Sequence, residues 1–235
     1  MTHILHKANT RGHALHGWLE SRHTFSFAGY HDPERIHFGV LRVLNDDVVA
    51  PGRGFGRHPH DNMEIISIPL AGALEHQDSM GNRTVIREQD VQIMSAGTGV
   101  EHSEMNHHQD REVRFLQIWV FPDRRGYTPR YDQKNFSAEG RKNRFQCVVC
   151  PDGTGTGVQI RQQVWFHRLD LSPGWQLSYA LKDQGNGIYV FVLEGQVSAD
   201  GYLLEDRDGL GITGRDEIPL LTGPGCSLLL MEVPV

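Results

Sequence analysis

The chain has 235 residues, 38% of them hydrophobic and 22% charged, with a formal net charge of −6. That length suits one large all-β unit or two small domains and is enough to bury a core. The acidic balance excludes direct binding of nucleic acid, which needs a basic face, and leaves a protein partner open.

The N-terminal Met1-Thr2-His3-Ile4-Leu5-His6 has no apolar signal core. No apolar run approaches the ~20 residues of a membrane span, so a cytoplasmic location is expected. The 26 glycines and 11 prolines punctuate the chain often, which favours short strands over long helices. Residues 1–35 are turn-rich. A strand is expected over Phe38–Leu44, ended by a turn at Asn45-Asp46-Asp47. A glycine-rich loop over residues 51–56 leads to His58-Pro59-His60. Strand patterns follow at Glu64–Leu70, Val91–Met94 and Val113–Phe121, with Gly72 at a bend and a turn at residues 78–82. Gly97-Thr98-Gly99 forces a turn before His102-Ser103-Glu104. The polar stretch Pro122–Lys142 is the best linker candidate, and strands resume from Phe145.

Cys147, Cys150 and Cys226 are too few, and odd in number, for a disulfide scaffold. Cys147 and Cys150 have CxxC spacing, but i and i+3 face opposite sides of a regular strand, so structural cysteines are expected. Of the 14 histidines, those at 3, 6, 13, 16, 107 and 108 are expected to be exposed or hydrogen-bonded.

The second half echoes the first: strand, Gly72, strand and turn recur around Gly195. Aligning those two glycines carries His58 and His60 onto Leu181 and Asp183, and His102 and Glu104 onto Gly225 and Ser227. No His-x-His occurs in the second half. The expected organisation is therefore a metal-binding unit over residues 1–130 and a copy without metal ligands over 131–235.

His58/His60 and His102/Glu104 are both spaced i, i+2. On a strand, residues two apart point the same way. Two such strands face to face supply three imidazoles and a carboxylate, a donor set that suits a divalent transition metal. Extending the parity from His60 puts Glu64, Ile66 and Ile68 on the same face, with Glu64 near the metal and the apolar residues behind it.

Gly52-(x5)-His58-x-His60-(x3)-Glu64 and Gly99-(x2)-His102-(x3)-Asn106 resemble the two motifs of the cupin superfamily. More narrowly, the chain resembles the pirins. The segments that carry this include residues 22–27 and 41–46, His58-Pro59-His60, Glu75-His76-Gln77-Asp78-Ser79, residues 95–99, His102-Ser103-Glu104 and Gln117-Ile118-Trp119. The resemblance implies an all-β bicupin, two tandem antiparallel barrels. It implies His58, His60, His102 and Glu104 as metal ligands, where a general cupin would often use Glu64. Glu64 is either the alternative carboxylate ligand or an acceptor for a ligand imidazole N–H.

Two functions follow from the resemblance. One is a quercetin 2,3-dioxygenase-like enzyme, opening a flavonol ring with O2 and releasing CO, with Glu104 also the candidate catalytic base. The other is a redox-sensing regulator that binds a transcription factor or an enzyme. Fe(II) is the favoured metal; Mn, Co, Ni, Cu and Zn also suit the donors. A monomer is expected, because two copies of the fold can pack on each other.

Overall fold

The computed structural model describes residues 1–153 and 155–235. Among them, the regular elements are strands and two short 3-10 helices, at Ala8–Thr10 and Ala138–Arg141. In chain order the first half contributes β1 (Thr2–His6), β2 (Gly12–Leu15), β3 (Leu19–His23), β4 (Leu41–Val49), β5 (Gly54–His60) and β6 (Glu64–Ala71). It continues with β7 (Ala73–Asp78), β8 (Arg83–Arg87), β9 (Asp90–Ser95), β10 (Val100–Asn106), β11 (Val113–Val120) and β12 (Arg130–Asn135). The second half contributes β13 (Gln146–Pro151), β14 (Val158–Ile160), β15 (Trp165–Leu171), β16 (Gln176–Ala180) and β17 (Asn186–Gly195). β18 (Val197–Ala199), β19 (Tyr202–Leu204), β20 (Gly209–Thr213), β21 (Glu217–Leu221) and β22 (Cys226–Pro234) complete it.

Each half builds a seven-stranded and a four-stranded sheet. The first half has the orders β12-β9-β6-β11-β4-β3-β2 and β5-β10-β7-β8. The second has β1-β20-β17-β22-β15-β13-β14 and β16-β21-β18-β19. Strands β4 to β11 thus map one for one onto β15 to β22, and the chain is a bicupin.

Sheet membership crosses the expected boundary at 130/131. β1 pairs with β20 in the second half's sheet. β12 pairs with β9, which places ordered strand inside the segment expected to be linker. The Asn45-Asp46-Asp47 turn is also corrected: those residues lie within β4, paired to both β3 and β11. Their polar side chains read as a turn, but the period-2 alternation from Leu41 to Val49 runs through them.

The two seven-stranded sheets pack face to face. Ile66, Ile68, Leu116 and Ile118 of one meet Phe166, Tyr189, Phe191, Leu229 and Met231 of the other in one buried cluster. The even face of β6 therefore looks at the second barrel, which overturns the parity carried across from His60. Asn62, at φ 45, reverses the chain between β5 and β6 and breaks that parity. The odd face, with Ile65 and Ser67, looks into the first barrel.

The strand map also corrects the repeat alignment. The counterparts of β5 and β10 are β16 and β21. Where the first barrel has the candidate ligands, the second has inward Leu177, Tyr179, Ile218 and Leu220, packed among Ile188, Val190 and Leu230. A carboxylate beside them, the buried Glu232, accepts from the Tyr179 hydroxyl at 2.8 Å. In β13 the register is irregular between Cys147 and Val149. All three cysteines are free, and burial, followed by the neighbouring Cys150 thiol, pushes Cys147 up to about 12.

Candidate metal centre

β5 and β10 pair antiparallel, His102 opposite His58 and Glu104 opposite Phe55. β5 spends one residue more than β10 between those pairs, a bulge at the site's rim. The Nδ1 of His58 and the carbonyl of Gly56 lie 2.7 Å apart. Donation from Nδ1 fixes the tautomer and leaves Nε2 free as a ligand.

His58, His60 and His102 converge. Their ring centroids are 4.5 to 4.9 Å apart. One ligand atom of each lies within 4.8 Å of the other two. His102 is 2% exposed, and neither of its ring nitrogens has a hydrogen-bond partner among the described residues. Two orphaned nitrogens on a buried ring are costly unless something fills them. Burial first, then the neighbouring histidines, lower His60 to about 4 and His102 to about 3. Both rings are therefore neutral at pH 7, the form that ligates metal. This donor set fits a divalent transition metal.

Glu104 is buried below His102. Ser67 donates its hydroxyl to Oε1 at 2.7 Å, and Gln117 donates its amide to Oε2 at 2.6 Å. At the 4.8 Å spacing, Glu104 groups with His102 and His76 and not with His58 and His60. The four expected ligands thus form two sets that share His102. His76 is fully buried, and Asp78 accepts from its Nε2 at 3.1 Å. His76 lies in a segment that carries the pirin resemblance, and its spacing alone gives it no role.

Glu64 stands elsewhere. It accepts from Ser95 Oγ at 2.8 Å and from the backbone N–H of Arg161 at 3.2 Å. It joins the two barrels and meets no ligand imidazole. Burial raises it to about 7, against the hydrogen bonds from Ser95 and Arg161. Asn106 keeps the inward parity of β10, but its amide holds the carbonyls of Val49, Ala50 and Arg111.

A cavity of about 250 Å³ opens beside the three histidines. Its apolar wall is Phe27, Phe55, Ile65 and Trp119. Trp119 meets His60 edge to face at 5.0 Å, and its indole N–H has no partner among the described residues. Asn45 and Asp47 line the same cavity. Burial raises Asp47 to about 7, opposed by a hydrogen bond from the Ser21 hydroxyl. Sequence alone gives these two no role in the site because Asn-Asp-Asp reads as a turn; the alternation through Val43, Asn45, Asp47 and Val49 is the signal that places them.

Comparison with known proteins agrees with this architecture. Residues 4–120 match the pirin family, and residues 147–233 match the quercetinase C-terminal cupin domain. The chain is 41% identical to quercetin 2,3-dioxygenase of Escherichia coli over 230 residues, 98% of each chain. The chain belongs to the pirin family. A putative quercetin 2,3-dioxygenase of Pseudomonas aeruginosa is 42% identical over 94% of this chain and 95% of its own. The crystal structure of the E. coli pirin YhhW in complex with nickel(II) superposes with TM-score 0.94 at 39% identity, covering 99% of each chain. A further YhhW structure gives 0.95 at 40% identity, over 100% of this chain and 99% of that one.

Proposed function

We propose that this pirin is a metal-dependent dioxygenase that opens a flavonol ring such as that of quercetin with O2 and releases CO. The observation that carries the reading is the convergence of His58, His60 and the unpartnered His102 on one wall of an apolar cavity. His58, His60, His102 and Glu104 would hold one divalent transition metal. Fe(II) is our first choice, with nickel(II) the ion in the E. coli relative's structure. When bound, the metal supplies Lewis acidity toward the adjacent hydroxyl and carbonyl oxygens of a flavonol.

The chain's own residues do the rest. Phe27, Phe55, Ile65 and Trp119 pack the ring system and exclude water. The free indole N–H of Trp119 donates to a ligand oxygen. Glu104, steadied by Ser67 and Gln117, is the proposed base for the flavonol hydroxyl proton. A redox-sensing regulator would be better served by a centre sealed by side chains; the apolar cavity beside the histidines favours the enzyme. Because the two large sheets already cover each other, we expect a monomer.

Anaerobic reconstitution with Fe(II), then quercetin and O2, tests the reading through flavonol absorbance and CO release. Turnover is expected, and its loss in His58→Ala and Glu104→Ala. Tight metal binding without turnover under any of the candidate metals would overturn the enzyme reading in favour of the regulator.

A further inference from the structure

The metal chamber has a neighbour. A second chamber of about 540 Å³ lies under the turn formed by Phe27, Ala28, Gly29 and Tyr30 and against β2 and β3. The two chambers share Phe27, Asn45, Asp47 and Phe55 as a common partition. The turn is closed by mutual backbone bonds between Phe27 and Tyr30, at 3.0 and 2.9 Å. His23 stacks edge-on to Phe27 at 5.3 Å and backs the outer chamber with a buried Nδ1 that has no partner among the described residues.

The partition is aromatic on two sides and polar on two. Asn45 is 2% exposed, and its Oδ1 has no partner among the described residues. Asp47 is 3% exposed, and the Ser21 hydroxyl donates to its Oδ1. A buried acceptor without a donor costs stability unless a ligand supplies one. Hydroxyl donors on a flat aromatic ring answer both features: the ring stacks between Phe27 and Phe55, and its hydroxyls donate to Asn45 and Asp47. The metal chamber alone falls below the usual volume of a small-molecule site, roughly 300–1,000 Å³, and the joined chambers fall within it.

We propose that the outer chamber is a second subsite of the metal cavity, which takes the aryl ring appended to a chelating hydroxy-ketone, with Asn45 and Asp47 accepting from hydroxyls on that ring. The inference rests on the reading of the centre as one that chelates a flavonol-like ligand. It adds where the aryl substituent sits and which residues read its hydroxyls.

The test is ligand binding to the full chain loaded with nickel(II), followed by the absorption shift of the chelated ligand. The probes are 3-hydroxy-2-methylchromone, which keeps the chelating oxygens and the fused ring, and 3-hydroxyflavone, which replaces the methyl group with a phenyl ring. Burial of the extra ring is expected to tighten binding about ten-fold or more. Ala14→Trp fills the outer chamber from a residue that does not line the metal chamber. It is expected to abolish the phenyl gain and leave chromone affinity unchanged, which also shows that the variant folds and holds metal. A dihydroxyphenyl ring is expected to gain roughly a further five-fold, lost in Asn45→Ala. Chromone binding with no phenyl gain, or a phenyl gain that survives Ala14→Trp, overturns the subsite and leaves the metal centre standing. Absence of chromone binding overturns the chelation reading and the subsite with it.

Discussion

Gln117 reaches from the large sheet across the barrel, and its amide donates to Glu104 on the small sheet at 2.6 Å. Its neighbour in the same inward row, Trp119, packs on His60. One strand, β11, therefore steadies both the acidic and the imidazole sides of the centre.

Gln117→Leu should keep the fold and weaken metal binding, because Glu104 loses the donor that orients it. The expected loss is about 10- to 100-fold in affinity, the usual cost of removing such a support. Competition with a chromophoric chelator measures it. Unchanged affinity would show that Ser67 alone holds the carboxylate.

Trp119 should report the metal. With its ring centroid 5.0 Å from that of His60, nickel(II) or Fe(II) loading is expected to quench its fluorescence. Trp119→Phe should remove most of the change while Trp18, Trp165 and Trp175 still emit. A full quench in that variant would mean that loading perturbs a tryptophan remote from the centre.

Glu64 gives a pH dependence with a definite sign. Its carboxyl is raised from 4.5 to about 7 by burial. The folded chain keeps a proton that the unfolded chain releases between those values, so this group's contribution to stability falls as pH rises through that window. Glu64→Gln mimics the protonated form. In metal-free protein the variant should match the parent near pH 4.5 and exceed it above pH 7, by on the order of 3 kcal/mol at most. The Tm difference between variant and parent, read across pH, cancels the histidines and Asp47. A difference that does not change with pH would show that Glu64 is ionised throughout.

Phe166 is fully buried between the two large sheets. Phe166→Ala should cost roughly 3–5 kcal/mol, the usual range for emptying a buried phenylalanine site. Denaturant unfolding measures it. A loss below about 1 kcal/mol would show that the barrels do not depend on that interface.

The convergence of His58, His60 and His102 was legible because its signal is local. His58/His60 and His102/Glu104 each occupy one strand, where spacing alone fixes a common face. The residues that shape the cavity were not. Asn45 and Asp47 looked like a turn because polar side chains at a buried, strand-paired position depend on what lies across the barrel. Parity carried through residues 61–63, where the chain bends, places Glu64 beside the metal, and the structure places it between the barrels. The counterparts of β5 and β10 were misplaced by alignment on one glycine, since loop lengths differ between the halves and only strand order reveals them.

The pairing of β1 with β20, Thr2 opposite Thr213, sets an order of events during synthesis. The metal-binding barrel draws all its strands from β2 to β12 and can close while the later chain is still on the ribosome. The second barrel cannot complete its edge until β20 arrives. A strand made early thus docks late, and it fastens the second barrel rather than the one that holds the three converging histidines.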